Sequence, residues 1–154
     1  MVVSRTLSVA RRYGCLLLSW PPNIVVLDNQ YATLRYYPAE KIVHHTFHKA
    51  IGGAEFRAIL NGGADLLARN GAHKWLSDDR NNSAMSDEDT QWSMTDWFPR
   101  AVQSGWKFWA LVVPADGMAK LNMKEFIDMY FEKGLRIMVF VDPAEAWKWL
   151  RNIE

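Results

Sequence analysis

The sequence predicts one α/β domain on a single mixed sheet, with elements in the order ββαβαβαβα. Three observations lead to that class. Short β-rich runs alternate with longer runs of helical periodicity. The first two β-runs are joined by only Pro38, Ala39 and Glu40, a link so short that they must pair antiparallel. Every later β-run is separated from the next by a helix, so those strands run parallel through right-handed crossovers, with helices mainly on one face. The 154 residues, 49% of them apolar, suit one domain with a proper core.

The opening hairpin is Ala32 to Tyr37 and Lys41 to Lys49. Gly53 to Asn70 then sets Phe56, Ile59, Leu60, Gly63, Leu66 and Leu67 at helical spacing, and Asn70-Gly71 supplies a left-handed stop. The Gly62-Gly63 pair inside this helix costs about 1 kcal/mol per glycine relative to alanine, which points to close packing against a strand. His73 to Ser77 is the third β-run. Helical periodicity resumes near Asp87, where Ser86 is placed as N-cap and Asp87, Glu88 and Asp89 occupy the first turn, favoured there by the helix dipole. Pro99 should kink or divide that helix, which ends at Gly105. Trp106 to Val113 is apolar on both faces, as a central strand covered on two sides must be. Asn122 and Glu125 cap the next helix, with Phe126, Ile127, Tyr130 and Phe131 as its buried stripe. Leu135 to Val141 is the last strand, and Asp142-Pro143-Ala144-Glu145 opens a helix that buries Ala146, Trp147 and Leu150.

Residues 1–28 are expected to be a loosely attached extension, and 29–154 the domain. Three arginines precede a short apolar run at Cys15 to Leu18, but Ser19, Trp20, Pro21 and Pro22 break it below the roughly 7 to 15 residues of a secretory signal. No span approaches the roughly 20 apolar residues that cross a bilayer, so membrane insertion is not expected. The formal net charge of +1 offers no field for nucleic acid. The single cysteine excludes an internal disulfide and fits a reducing, cytoplasmic setting.

Chemistry-bearing patterns are sparse. His44, His45 and His48 do not make a metal site, because His44 and His45 point to opposite faces of a strand and His44 and His48 stand about 13 Å apart at about 3.3 Å per residue. Asp78 and Asp79 sit at a strand end, where α/β proteins keep their sites, but no third acid or lysine accompanies them. No nucleophile elbow or phosphate-cradling glycine loop is present. The sequence assigns no catalytic residue, no metal and no cofactor.

The hairpin ATLRYYPAEKIVHHTFHK, the stretch KWLSDD before a polar loop, GWKFWALVVP and RIMVFVDPAEAWKWL together resemble the STAS domain family. The likeness is to SpoIIAA-like, STAS/SEC14-type bacterial proteins, many of them without an assigned activity, and it covers about residues 30–153. It implies a non-catalytic protein that binds a protein partner through the loop after the third β-run, Asp78, Asp79, Arg80, Asn81, Asn82 and Ser83. Ser83 and Ser86 stand where anti-sigma factor antagonists carry a phosphoacceptor, although this loop is longer and lacks their Asp-Ser-Ser-Gly setting. The SEC14 side of the resemblance, with the wealth of Trp, Phe and Met, offers an alternative: an apolar small-molecule or lipid pocket lined by Trp97, Trp109, Met129 and Phe131. A metal-dependent hydrolase built on Asp78 and Asp79 is a second alternative.

Overall fold

Six strands hydrogen-bond side by side in the order of the sequence: β1 (Ile24–Asp28), β2 (Ala32–Tyr37), β3 (Ile42–Phe47), β4 (Lys74–Asp78), β5 (Phe108–Val112) and β6 (Arg136–Phe140). The computed structural model describes residues 20–82 and 84–154. β1 to β3 form an antiparallel meander, and β3 to β6 run parallel. The α/β class and the mixed sheet thus agree with the sequence pattern.

Two elements were not expected. Ile24–Asp28, placed by the sequence in the extension, pair with β2 as an edge strand; residues 1–19 lie outside the described residues. The return from β1 is closed by Asn29, whose side-chain oxygen accepts from the backbone N–H groups of Tyr31 and Ala32 at 2.8 and 3.0 Å, the turn-forming habit of asparagine. The other addition is a short helix after β5, described below as α4.

The helices are α1 (Gly53–Asn70), α2 (Asp87–Trp92), α3 (Phe98–Gln103), α4 (Ala115–Lys120), α5 (Met123–Glu132) and α6 (Pro143–Asn152), with a π turn at Ser93–Trp97 joining α2 to α3. Parallel strands laid down in sequence order by crossovers of one hand must carry those crossovers on one face. α6 follows the last strand, escapes that constraint and packs on the opposite face against β4, β5 and β6. Strand alternation then sorts the side chains. Val43, Phe47, Trp75, Leu111 and Ile137 join the larger core under the crossover helices. Ile42, Leu76, Ala110 and Val112 form a smaller one with Trp147 and Leu150 of α6.

Local details follow from the chemistry of single residues. Gly62 and Gly63 let α1 lie flat on the sheet: a Cβ on Gly63 would collide with the indole of Trp75, and one on Gly62 would come 2.9 Å from Leu34 Cδ2. Pro99 does not break the helical run. The π turn widens it just before the proline, with Phe98 N–H bonding back to Ser93 O. Pro99 therefore falls in the first turn of α3, where a missing N–H costs least.

Phe131 requires a correction, since it is 67% exposed and not part of the buried stripe. Phe126, Ile127 and Tyr130 set the inward direction of α5. Phe131 is turned about 100° from Tyr130 at 3.6 residues per turn. Among the described residues, no helix is long and apolar enough to cross a membrane.

Candidate ligand-binding pocket

Between the sheet and the crossover helices lies a cavity of about 380 Å3. Its sheet wall is His45 and Phe47 of β3, Trp75 and Ser77 of β4, and Trp109 and Leu111 of β5, all at odd positions because one face of a strand repeats every second residue. Leu60 of α1, Trp97 of the π turn, Phe98 of α3 and Tyr130 of α5 close the opposite side. Among the lining residues that keep solvent exposure, Asp79, Met85, Met94, Pro114 and Gly117 mark the opening, beyond the carboxyl ends of β4 and β5.

Four tryptophans shape the interior, and each indole N–H is engaged. Trp75 donates to His45 Nδ1 at 3.0 Å, Trp97 to the Leu60 carbonyl at 2.9 Å, Trp106 to the Phe108 carbonyl at 3.2 Å and Trp109 to Ser77 Oγ at 2.9 Å. The rings brace one another, with Trp75–Trp97, Trp75–Trp106 and Trp106–Trp109 centroids 5.5, 5.3 and 5.1 Å apart. Closing the cavity by turning any of these rings would surrender a hydrogen bond worth about 1 kcal/mol and its aromatic contacts. The four indoles are thus each held by a hydrogen bond and by a ring neighbour.

Ser77, His45 and Asp79 all line this cavity, the residue types of a nucleophilic triad. Their bonding excludes that use. An indole only donates, so His45 Nδ1 is an acceptor and the imidazole carries its hydrogen on Nε2, which donates to Asp79 Oδ1 at 2.8 Å. Both ring nitrogens are occupied, leaving none to take a proton from Ser77. Ser77 Oγ accepts from Trp109. The His45–Asp79 pair is a strut that holds a carboxylate at the opening.

The other expected site residues take the following places. Asp78 points to the opposite face from Asp79, is 4% exposed, and is clasped by Arg80 through two hydrogen bonds of 2.9 and 2.8 Å. The two acids thus diverge, and among the described residues no group of three His, Cys, Asp or Glu side chains could hold a metal ion. Arg80 and Asn81 are exposed; Asn81 donates its amide to the Phe47 carbonyl at 3.3 Å. Asn82 is buried against the cavity, its Oδ1 accepting from the Ile51 N–H at 3.2 Å, and its Nδ2 has no partner among the described residues. Ser83 lies outside the described residues. Ser86 caps α2, accepting from the Asp89 N–H at 3.1 Å. Trp97 and Trp109 line the cavity as expected of a pocket; Met129 and Phe131 do not, being 39% and 67% exposed on the outer side of α5.

The opposite sheet face carries two further histidines, His44 and His48. His44 is buried between Tyr37 and Thr46, with its ring nitrogens 3.3 Å from each hydroxyl. Burial, reinforced by His45 and Arg35 and opposed by Asp78, pushes its pKa down to about 3. Burial also raises the Tyr37 phenol to about 12. His48 Nε2 sits 2.7 Å from Thr33 Oγ1 at the sheet surface. Compared with known proteins, the chain matches no family model, no curated protein and no solved structure.

The sequence places His45 on the face of Val43 and Phe47 and Asp79 in the loop, but shows neither the bond between them nor the turn of Ser77 and Asp79 into a pocket. The spacing hides them: His45 and Asp79 are 34 residues apart, and only the parallel pairing of β3 with β4 brings them together. The period-2 placement of His45 beside Val43 and Phe47 did signal its burial, and it is 2% exposed.

Proposed function

We propose that this protein binds a small molecule with a largely apolar body in the cavity between β3–β5 and the crossover helices, and acts by binding. The carrying observation is the preformed aromatic chamber of about 380 Å3, held open by four engaged indoles. Small-molecule sites fall in the range of about 300 to 1,000 Å3, mostly apolar with a few placed polar groups, and the composition of this lining fits that description. The inward turn of Asp79 and Asn82 supports the same reading over a loop presented to a protein partner, because both side chains serve the pocket wall.

Titration with N-phenylnaphthylamine, a neutral probe that fluoresces in apolar surroundings, tests this. Saturable one-site binding is expected, with quenching of the pocket tryptophans. Leu111→Phe, which places a ring where a smaller side chain lines the void, should weaken the probe while leaving the circular dichroism spectrum intact. An absence of saturable binding, or equal binding by Leu111→Phe, refutes the proposal.

A further inference from the structure

Resting on that reading, we infer that the occupant is an amine: an apolar body among the tryptophans, with a cationic head at Asp79. The lining is electrostatically one-sided. Indole and phenol rings present negative faces, Asp79 adds a carboxylate at the opening, and among the described residues no lysine or arginine lines the cavity. The nearest guanidinium by sequence, Arg80, is turned to the other face and bound to Asp78 through both of its oxygens.

The carboxylate is also held ready. Among the described residues, Asp79 accepts at Oδ1 alone, from His45 Nε2–H, so Oδ2 keeps its accepting capacity. The Asp79 side chain is 26% exposed, so a bound ammonium would keep part of its hydration at the mouth and avoid the cost of full burial. An anionic head would meet the same carboxylate with no compensating cation. A fatty acid or phospholipid therefore fits this pocket poorly despite its apolar body.

Phenylbutylamine, phenylbutanol and phenylbutyrate share one apolar body and differ in the head, so their affinities for the full chain, measured by calorimetry or probe displacement, isolate the head. The amine should bind about tenfold more tightly than the alcohol, a difference of about 1.4 kcal/mol, and the carboxylate most weakly. Asp79→Asn keeps an oxygen for His45 Nε2–H, so the alcohol should bind as before while the amine's advantage disappears. Equal binding of amine and alcohol, tighter binding of the carboxylate, or an amine advantage that survives Asp79→Asn overturns the inference and leaves the cavity proposal standing. Failure of all three ligands overturns both. Should Asp79→Asn lose the alcohol as well, the wild-type order of the three heads decides.

Discussion

Trp75 donates its indole N–H to His45 Nδ1 across 3.0 Å, a bond made wholly inside the core, where Trp75 is 1% and His45 2% exposed. It fixes the tautomer of the imidazole and, through Nε2, the position of Asp79. Trp75→Phe removes the donor, leaves a buried acceptor unpaired and vacates part of the indole volume. Together these should destabilise the fold by about 2 to 4 kcal/mol, measured by urea denaturation. Nitrogen chemical shifts of His45 should show the hydrogen on Nε2 in the wild type.

The same indole sets the tolerance of α1. Gly63→Ala gains up to about 1 kcal/mol of helix propensity, but its methyl group would overlap the six-membered ring of Trp75, and overpacking of this kind costs about 1 to 3 kcal/mol. Trp75 is braced by Trp97 and Trp106 and tied to His45 Nδ1, so a retreat toward the cavity would break these contacts. Net destabilisation is expected, with weaker binding of the apolar probe if the cavity is its site, because the cavity wall moves. Gly62→Ala meets only the far end of Leu34, which can rotate, and should change the melting temperature little. Equal effects of the two substitutions would contradict this account of the glycine pair.

His44 predicts a pH dependence. Its folded pKa of about 3 lies below the ordinary value of about 6.5, so between these values the unfolded chain binds a proton that the folded chain does not. Stability is then full above about pH 6.5 and falls as the pH drops toward 3, by up to about 1.4 kcal/mol per pH unit. Urea denaturation at about pH 7 and pH 5 should show this loss. His44→Gln should flatten the profile; a variant as acid-sensitive as the wild type would place the titrating group elsewhere.

These tests probe features of unequal visibility in the sequence. Parallel strands and crossover helices were legible because period-2 and period-3.6 patterns, caps and turn residues are local. β1 was not, since Ile24, Val25 and Val26 stay 55%, 48% and 44% exposed and follow a Pro-Pro pair that reads as linker. The π turn was hidden because one shifted hydrogen bond, from Phe98 N–H to Ser93 O, leaves no mark in the hydrophobic period. The pocket was half legible: Trp97 and Trp109 carry the aromatic signal, but a void is a property of how side chains fail to fill space. Asp79 and His45 acquire their roles only through strand register.

The acidic run at the start of α2 divides into residues of very different weight, and Asp89 carries most of it. Its carboxylate accepts from the Gly53 N–H at 2.9 Å and from Arg57 Nε at 3.3 Å, and it is 4% exposed. It thereby satisfies the first N–H of α1 from a different helix. Glu88 also meets Arg57, at 3.2 Å, but its side chain is 87% exposed, where a pair contributes about 0 to 1 kcal/mol. Asp89→Ala should therefore cost about 1.5 to 3 kcal/mol, as for a charge-assisted bond lost to a buried donor, and Glu88→Ala should be close to silent in the same denaturation assay. The bond from Gly53, with help from Ser86 and Arg57, also holds the Asp89 carboxyl below its usual pKa. A depressed carboxylate stabilises the fold above its unfolded pKa of about 3.9 and loses that contribution as the pH falls through the folded value. Acid unfolding of Asp89→Ala should thus show a shallower slope than the wild type below about pH 4, while the His44 slope above it stays unchanged.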